Sequence, residues 1–142
     1  GGRCLRRPIR ADAGHARGLL DPEQRSGRVR SGRRQCHPHF ARGREIYYRR
    51  QGQMNLACTH CHEQNVGRKL LADTISEGHG NAYPVYRLEW QSAGSLHRRL
   101  RACYFGVRAE MPAAGAAELL DLELYLAWRA SGLPVETPGV RR

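Results

Sequence analysis

The chain has 142 residues and a formal net charge of +11 at pH 7, which fits one small domain whose surface suits anionic partners. Arginine carries nearly all of this charge, because Lys69 is the only lysine. No run of about 18 apolar residues occurs, so the sequence excludes a membrane-spanning helix.

The first 40 residues are predicted to be irregular. They contain ten arginines and three acidic residues among Gly, Pro and Ser, and Phe40 is their only aromatic residue. Such a segment buries little apolar surface and lacks the interleaved aromatic side chains that stack on nucleic-acid bases. We therefore predict an irregular Arg/Gly-rich segment over 1–40, one domain over 41–142 and no nucleic-acid partner. Cys4 and Cys36 could pair in an oxidising compartment, although their spacing gives no geometric support.

A short helix is predicted over 42–53. Ile46 and Tyr47 would face inward, the neighbouring arginines would face solvent, and Gly52 ends the helical pattern. This helix leads directly into the most informative motif of the chain.

Cys58, Cys61 and His62 form the pattern Cys-x-x-Cys-His, which is typical of c-type haem attachment. Two thiols on one short loop can reach the two vinyl groups of a porphyrin, and the histidine that follows can ligate the iron. Attachment of this kind is completed outside the bacterial cytoplasm, so the motif indicates export. A zinc site built on the two thiols is the main alternative, but no second CxxC or HxxxH motif completes a set of four ligands.

The stretch 63–95 is rich in glycine and is interrupted by Pro84, so we predict loops there, with one short helix around 70–75. After this stretch, Ser95 can cap a helix that starts at Leu96. Arg99 and Cys103 are one turn apart on that helix, which would place a guanidinium beside the sulfur and favour the thiolate. The alternative is that Cys103 is a small buried apolar side chain.

The clearest helical pattern covers 116–130. Leu119, Leu122 and Leu126 form one apolar stripe, and Gly132 lies just beyond the end of the helix. This helix and the one before the haem motif are the pair that commonly crosses in class I cytochromes c. We therefore expect an all-α, class I cytochrome c-like haem domain, preceded by the irregular segment.

The group opposite His62 on the iron would decide the function. Met111 is one candidate, and thioether ligation would raise the reduction potential for simple electron transfer. Cys103 is the other candidate, and a thiolate would lower the potential and place a reactive sulfur in the pocket. The spacing alone leaves both possibilities open.

The region from Gly43 onwards resembles the C-terminal haem domain of the SoxA family, the catalytic cytochrome subunits of SoxAX complexes. The resemblance is carried by the stretches GQMNLACTHCH, YPVYRLEWQSAGSLHRRLRAC, GVRAE and LELYLAWRASGLPVETPGVR. It implies that Cys58 and Cys61 attach the haem, that His62 and Cys103 ligate the iron, and that Arg99 and Cys103 are catalytic. Cys103 would be modified as a persulfide. Met111 falls where the family tends to place proline, so it departs from the family pattern.

The resemblance also implies an enzyme, an L-cysteine S-thiosulfotransferase of periplasmic sulfur oxidation. Thiosulfate would be joined oxidatively to a cysteine of the carrier SoxYZ, with electrons passing through haem to the partner subunit SoxX. Family members carry a further N-terminal cytochrome-like domain, but residues 1–40 contain no second CxxCH motif. We therefore predict one covalently bound haem c. The alternative function is a simple class I electron carrier with His62 and Met111 as axial ligands.

Overall fold

The computed structural model describes residues 37–142, so Cys4, Cys36 and nearly all of the predicted irregular segment lie outside the described residues. Within this range there are four helices, α1 (Pro38–Tyr48), α2 (Cys58–His62), α3 (Leu96–Gly106) and α4 (Ala117–Arg129). There are also five short strands, β1 (Lys69–Leu70), β2 (Asp73–Thr74), β3 (Val85–Arg87), β4 (Ser92–Gly94) and β5 (Gly139–Arg141). The fold is therefore mixed α/β, and the expectation of an all-α domain is wrong.

The strands lie where loops and a short helix are predicted. β1 and β2 form an antiparallel hairpin, and Leu71 takes a positive φ of 55° in its turn. In the second sheet β3 is the central strand, antiparallel to β4 and parallel to β5. Strands of two or three residues are too short to show an alternating pattern, and the pairing with β5 joins distant parts of the sequence.

The crossing of α1 and α4 forms the core, as the apolar patterns predict. Leu119, Leu122 and Leu126 are 0%, 1% and 4% exposed, and they pack with Ile46 and Tyr47 of α1. α1 begins at Pro38, before the predicted start, because Pro38 occupies the first turn and the His37 side chain accepts a hydrogen bond from the His39 backbone N–H. Helix α1 also reaches into the segment predicted to be irregular.

A buried carboxylate ties the start of α1 to α4. Asp121 is 4% exposed, and it accepts a hydrogen bond from Arg42 Nε at 2.8 Å. Its other oxygen lies 2.5 Å from His39 Nδ1. Burial would raise the pKa of Asp121, but Arg42 and His39 outweigh burial and lower this pKa. These contacts explain why helix α1 extends to Pro38, which local sequence patterns do not show.

Gly43 allows the two helices to touch through their backbones. A Cβ atom at this position would lie 1.9 Å from the Asp121 carbonyl oxygen, so only glycine fits the crossing. Among residues 37–142, no helix is long and apolar enough to cross a membrane.

We expect Gly43→Ala to lower the free energy of unfolding by about 3 kcal/mol, because the added methyl group forces α1 away from α4. Urea unfolding followed by circular dichroism measures this loss. Gly106→Ala is the matched control, since Gly106 is also helical and has no atom within 4 Å of the added Cβ. Equal stability of the two variants would contradict the role given to Gly43.

Candidate functional site

One turn of helix α2 carries the haem-binding pattern. Ala57 caps this turn in an extended conformation, and its backbone N–H donates to His60 Nδ1 at 3.0 Å. The His60 ring is thereby engaged in the cap, while Cys58, Cys61 and His62 project from the same turn. The described thiols, Cys58, Cys61 and Cys103, are all free of disulfides. Both attachment thiols are thus available on one rigid unit.

His62 is held in the form that a metal ligand requires. Its Nδ1–H donates to the Ser76 backbone carbonyl at 2.7 Å, which leaves the Nε2 lone pair for a metal. Burial lowers the pKa of His62, and Arg99 and Arg129 lower it further, while the bond to Ser76 raises it. The neutral imidazole that results is the form that ligates iron.

A glycine fixes the position of the His62 ring. Gly78 has a φ of +71°, and a Cβ atom there would lie 2.8 Å from His62 Cγ. The imidazole therefore rests directly on the backbone of the segment that also supplies the Ser76 carbonyl. This cradle, the free thiols and the histidine tautomer fit a c-type haem.

We expect Gly78→Ala to disturb the His62 ring and to reduce stability by about 3 kcal/mol, from steric overlap and a strained φ together. Gly67→Ala is the matched control, because Gly67 has a φ of +80° but open space around the added Cβ. The free energy of unfolding of Gly67→Ala should fall by only about 1 kcal/mol, which is the cost of the strained backbone. Urea unfolding compares the two variants, and equal losses would show that the imidazole does not depend on Gly78.

Cys103 lies on α3, and its charge acts on the Cys58 thiol of α2. As predicted, the Ser95 side chain caps α3 by accepting from the Arg98 backbone N–H at 3.3 Å. Burial raises the pKa of Cys58 to about 11, and the charges of Cys103 and Cys61 raise it further. The three sulfurs therefore lie within electrostatic range of one another, although they come from two helices.

Arg99 acts on Cys103 with the predicted sign. Burial raises the pKa of the Cys103 thiol, and the Arg99 guanidinium opposes this rise by stabilising the thiolate. Burial outweighs the guanidinium, so the pKa of Cys103 is raised overall. A bound metal would stabilise the thiolate further.

Arg87 is a second cation that acts on this sulfur, and no sequence motif indicates it. Its side chain belongs to β3, is 8% exposed and donates from Nε to Glu89 at 2.7 Å. Its charge lowers the pKa of Cys103, as that of Arg99 does. The two arginines also counteract the effect of burial, which raises the pKa of Tyr83. Only the burial of Arg87 in a short strand separates it from the many surface arginines, and no local motif shows that burial.

Met111 lies elsewhere. It is 39% exposed and lines a cavity of about 550 Å³ together with Tyr104 and Glu118. Neither the attachment thiols nor His62 line this cavity. Residues 37–142 also contain no cluster of three side chains that could hold a zinc ion.

Comparisons with known proteins identify relatives of this chain. No family model matches the chain. The L-cysteine S-thiosulfotransferase subunit SoxA of Pseudaminobacter salicylatoxidans is 48% identical over 103 residues, which cover 72% of this chain and 36% of that protein. The same subunit of Rhodovulum sulfidophilum is 45% identical over 102 residues, with coverage of 72% and 36%. The crystal structure of SoxXA from P. pantotrophus matches with a TM-score of 0.73 and 40% identity, covering 76% of this chain and 41% of that one. The chain therefore spans between a third and a half of the length of the proteins it matches.

Proposed function

The chain belongs to the SoxA family over the part that these relatives match, and we propose that it joins thiosulfate oxidatively to a cysteine of a carrier protein. The observation that carries this proposal is that Arg99 and Cys103 lie one turn apart on α3, where Cys103 acts on the Cys58 thiol and both Arg99 and Arg87 act on Cys103 through their charges. A simple electron carrier needs neither a third thiol nor two cations beside it.

The chain's residues fit one covalently bound haem c. Cys58 and Cys61 would hold it through thioether bonds, and His62 and Cys103 would ligate its iron. When bound, the haem supplies the one-electron chemistry by which electrons leave the site toward the subunit SoxX.

The reaction converts a carrier thiol and thiosulfate into a carrier S-thiosulfonate, one proton and two electrons. Cys103 can hold the sulfane sulfur covalently, because a polarisable sulfur both attacks and leaves readily. Arg99 and Arg87 can neutralise the sulfonate as it approaches the thiolate. The carrier is of the SoxYZ type, and the site of action is the periplasm, where thiols of this motif receive haem.

The net charge of +11 supports both proposed encounters. A basic protein attracts the thiosulfate dianion and an acidic carrier surface over distances of about a Debye length. Turnover should therefore fall as ionic strength rises.

The test mixes the haem-loaded chain with SoxX, thiosulfate, the SoxYZ carrier and an electron acceptor. The intact mass of the carrier should increase by one thiosulfate group, while the acceptor is reduced. A carrier of unchanged mass, with full reduction of the acceptor, would instead indicate an electron carrier. Low-temperature EPR of the oxidised chain identifies the axial ligands independently, since histidine/thiolate and histidine/methionine haems give different low-spin signals.

A further inference from the structure

Arg129 is a largely buried cation at the end of α4 that the proposed reaction does not use. Its side chain is only 13% exposed, and its guanidinium lies 4.4 Å from the centre of the Tyr47 ring. Nη1 donates to the Tyr47 hydroxyl and, at 3.3 Å, to the Glu77 backbone carbonyl. Nη2 lies 3.7 Å from the Glu63 carboxylate. Four contacts therefore fix this charge in place.

These contacts attach Arg129 to both sides of His62. Glu63 follows His62 directly in the chain. Glu77 lies between Ser76, which accepts the Nδ1–H of His62, and Gly78, on whose backbone the ring rests. Through the Glu77 carbonyl, the guanidinium is thus held one residue away from Ser76 and from Gly78, the two residues that support the His62 ring.

The positive charge of Arg129 changes the pKa values of nearby side chains. After burial, which dominates, Arg129 contributes to lowering the pKa of His62. It also opposes the rise in the pKa of Cys58 that burial causes. Because its contacts with Glu63 and Glu77 hold Arg129 close to His62, and because solvent screens a buried charge poorly, this charge would also act on an iron ligated by His62.

We propose that Arg129 is a positioning residue that raises the reduction potential of the haem iron by holding a buried positive charge beside His62. Reduction adds an electron to the site, and a nearby cation stabilises the product of that step. Arg129 thereby offsets part of the decrease in reduction potential that a Cys103 thiolate would cause. This inference rests on the haem assignment made under the proposed function.

The test is a potentiometric titration of the haem-loaded chain, followed by its optical spectrum. Arg129→Gln should lower the equilibrium constant for reduction by about threefold or more, where tenfold corresponds to 59 mV for one electron. Arg129→Lys keeps the charge and should restore the potential to within about twofold of the original constant. An unchanged or raised potential in Arg129→Gln would overturn the proposal.

A second variant, for which we expect a shift of the reduction potential in the opposite direction, tests the proposal if Arg129→Gln fails to fold. Glu63 is 40% exposed, so Glu63→Gln leaves the core intact while it removes the negative charge paired with Arg129. Its potential should rise, and a fall would contradict the proposal. Arg141→Gln is the control, because Arg141 is 54% exposed and pairs with Glu136, so it should leave the potential unchanged.

The two possible failures can be told apart. A purified parent chain without the optical bands of haem would overturn the cofactor assignment and this inference together. A haem-loaded chain whose potential ignores both Arg129 and Glu63 would overturn this inference alone.

Discussion

Cys103→Ala should leave the haem attached and reduce thiosulfate conjugation by at least about a thousandfold. The proposed attachment bonds would be made by Cys58 and Cys61 on α2, whereas Cys103 belongs to α3, so its loss would remove no thioether. The variant loses the sulfur that would hold the substrate covalently, and binding alone cannot replace a covalent intermediate. Denaturing electrophoresis with haem staining measures attachment, and the intact mass of the carrier measures conjugation.

Cys103→Met separates the two roles of the sulfur. A thioether can still ligate iron, and it should raise the reduction potential, but it cannot form a persulfide. We expect a low-spin spectrum with turnover as low as that of Cys103→Ala. Wild-type turnover in either variant would remove Cys103 from catalysis.

Arg99→Ala should raise the barrier for conjugation by about 2–4 kcal/mol, which is the range for losing one positioned charge in an active site. The loss should be mainly in kcat, because the sulfonate and thiolate need the cation most as the new sulfur–sulfur bond forms. Arg87 keeps part of the positive charge near Cys103, so turnover should be reduced rather than abolished. Steady-state rates at saturating carrier and varied thiosulfate measure this effect.

Arg44→Ala is the matched control for charge. Arg44 is exposed on α1, and its guanidinium lies 6.0 Å from the centre of the Tyr48 ring, so the variant loses the same charge far from any described buried contact. It should retain nearly full turnover. An equal loss in both variants would assign the effect of Arg99 to overall steering by the basic surface.

The parts of the site that local patterns predict are those within single helices. The spacing of Cys58, Cys61 and His62, the cap at Ser95 and the turn between Arg99 and Cys103 all depend on neighbours along the chain. The structure confirms the Ser95 cap and places Arg99 and Cys103 one turn apart on α3, whereas Cys58–His62, predicted as a short loop, forms the helix α2. The functional roles of these residues stay predictions that the variants above test.

The features that the sequence did not predict come from distant pairings. Ser76 and Gly78 support His62 from a segment that shows only loop signals. Arg87 becomes an active-site candidate only because β3 lies between β4 and β5. Strands this short acquire their conformation from their partners, and those partners lie in other parts of the chain.

The parallel pairing of β5 with β3 also connects the helix that carries Arg129 with the strand that carries Arg87. Arg129 closes α4, the connection 130–138 follows, and β5 then aligns Arg141 with Arg87. The connection 130–138 therefore joins the helix end that holds Arg129 to the strand paired with that of Arg87. A deletion within this connection should disturb both cations in the same variant.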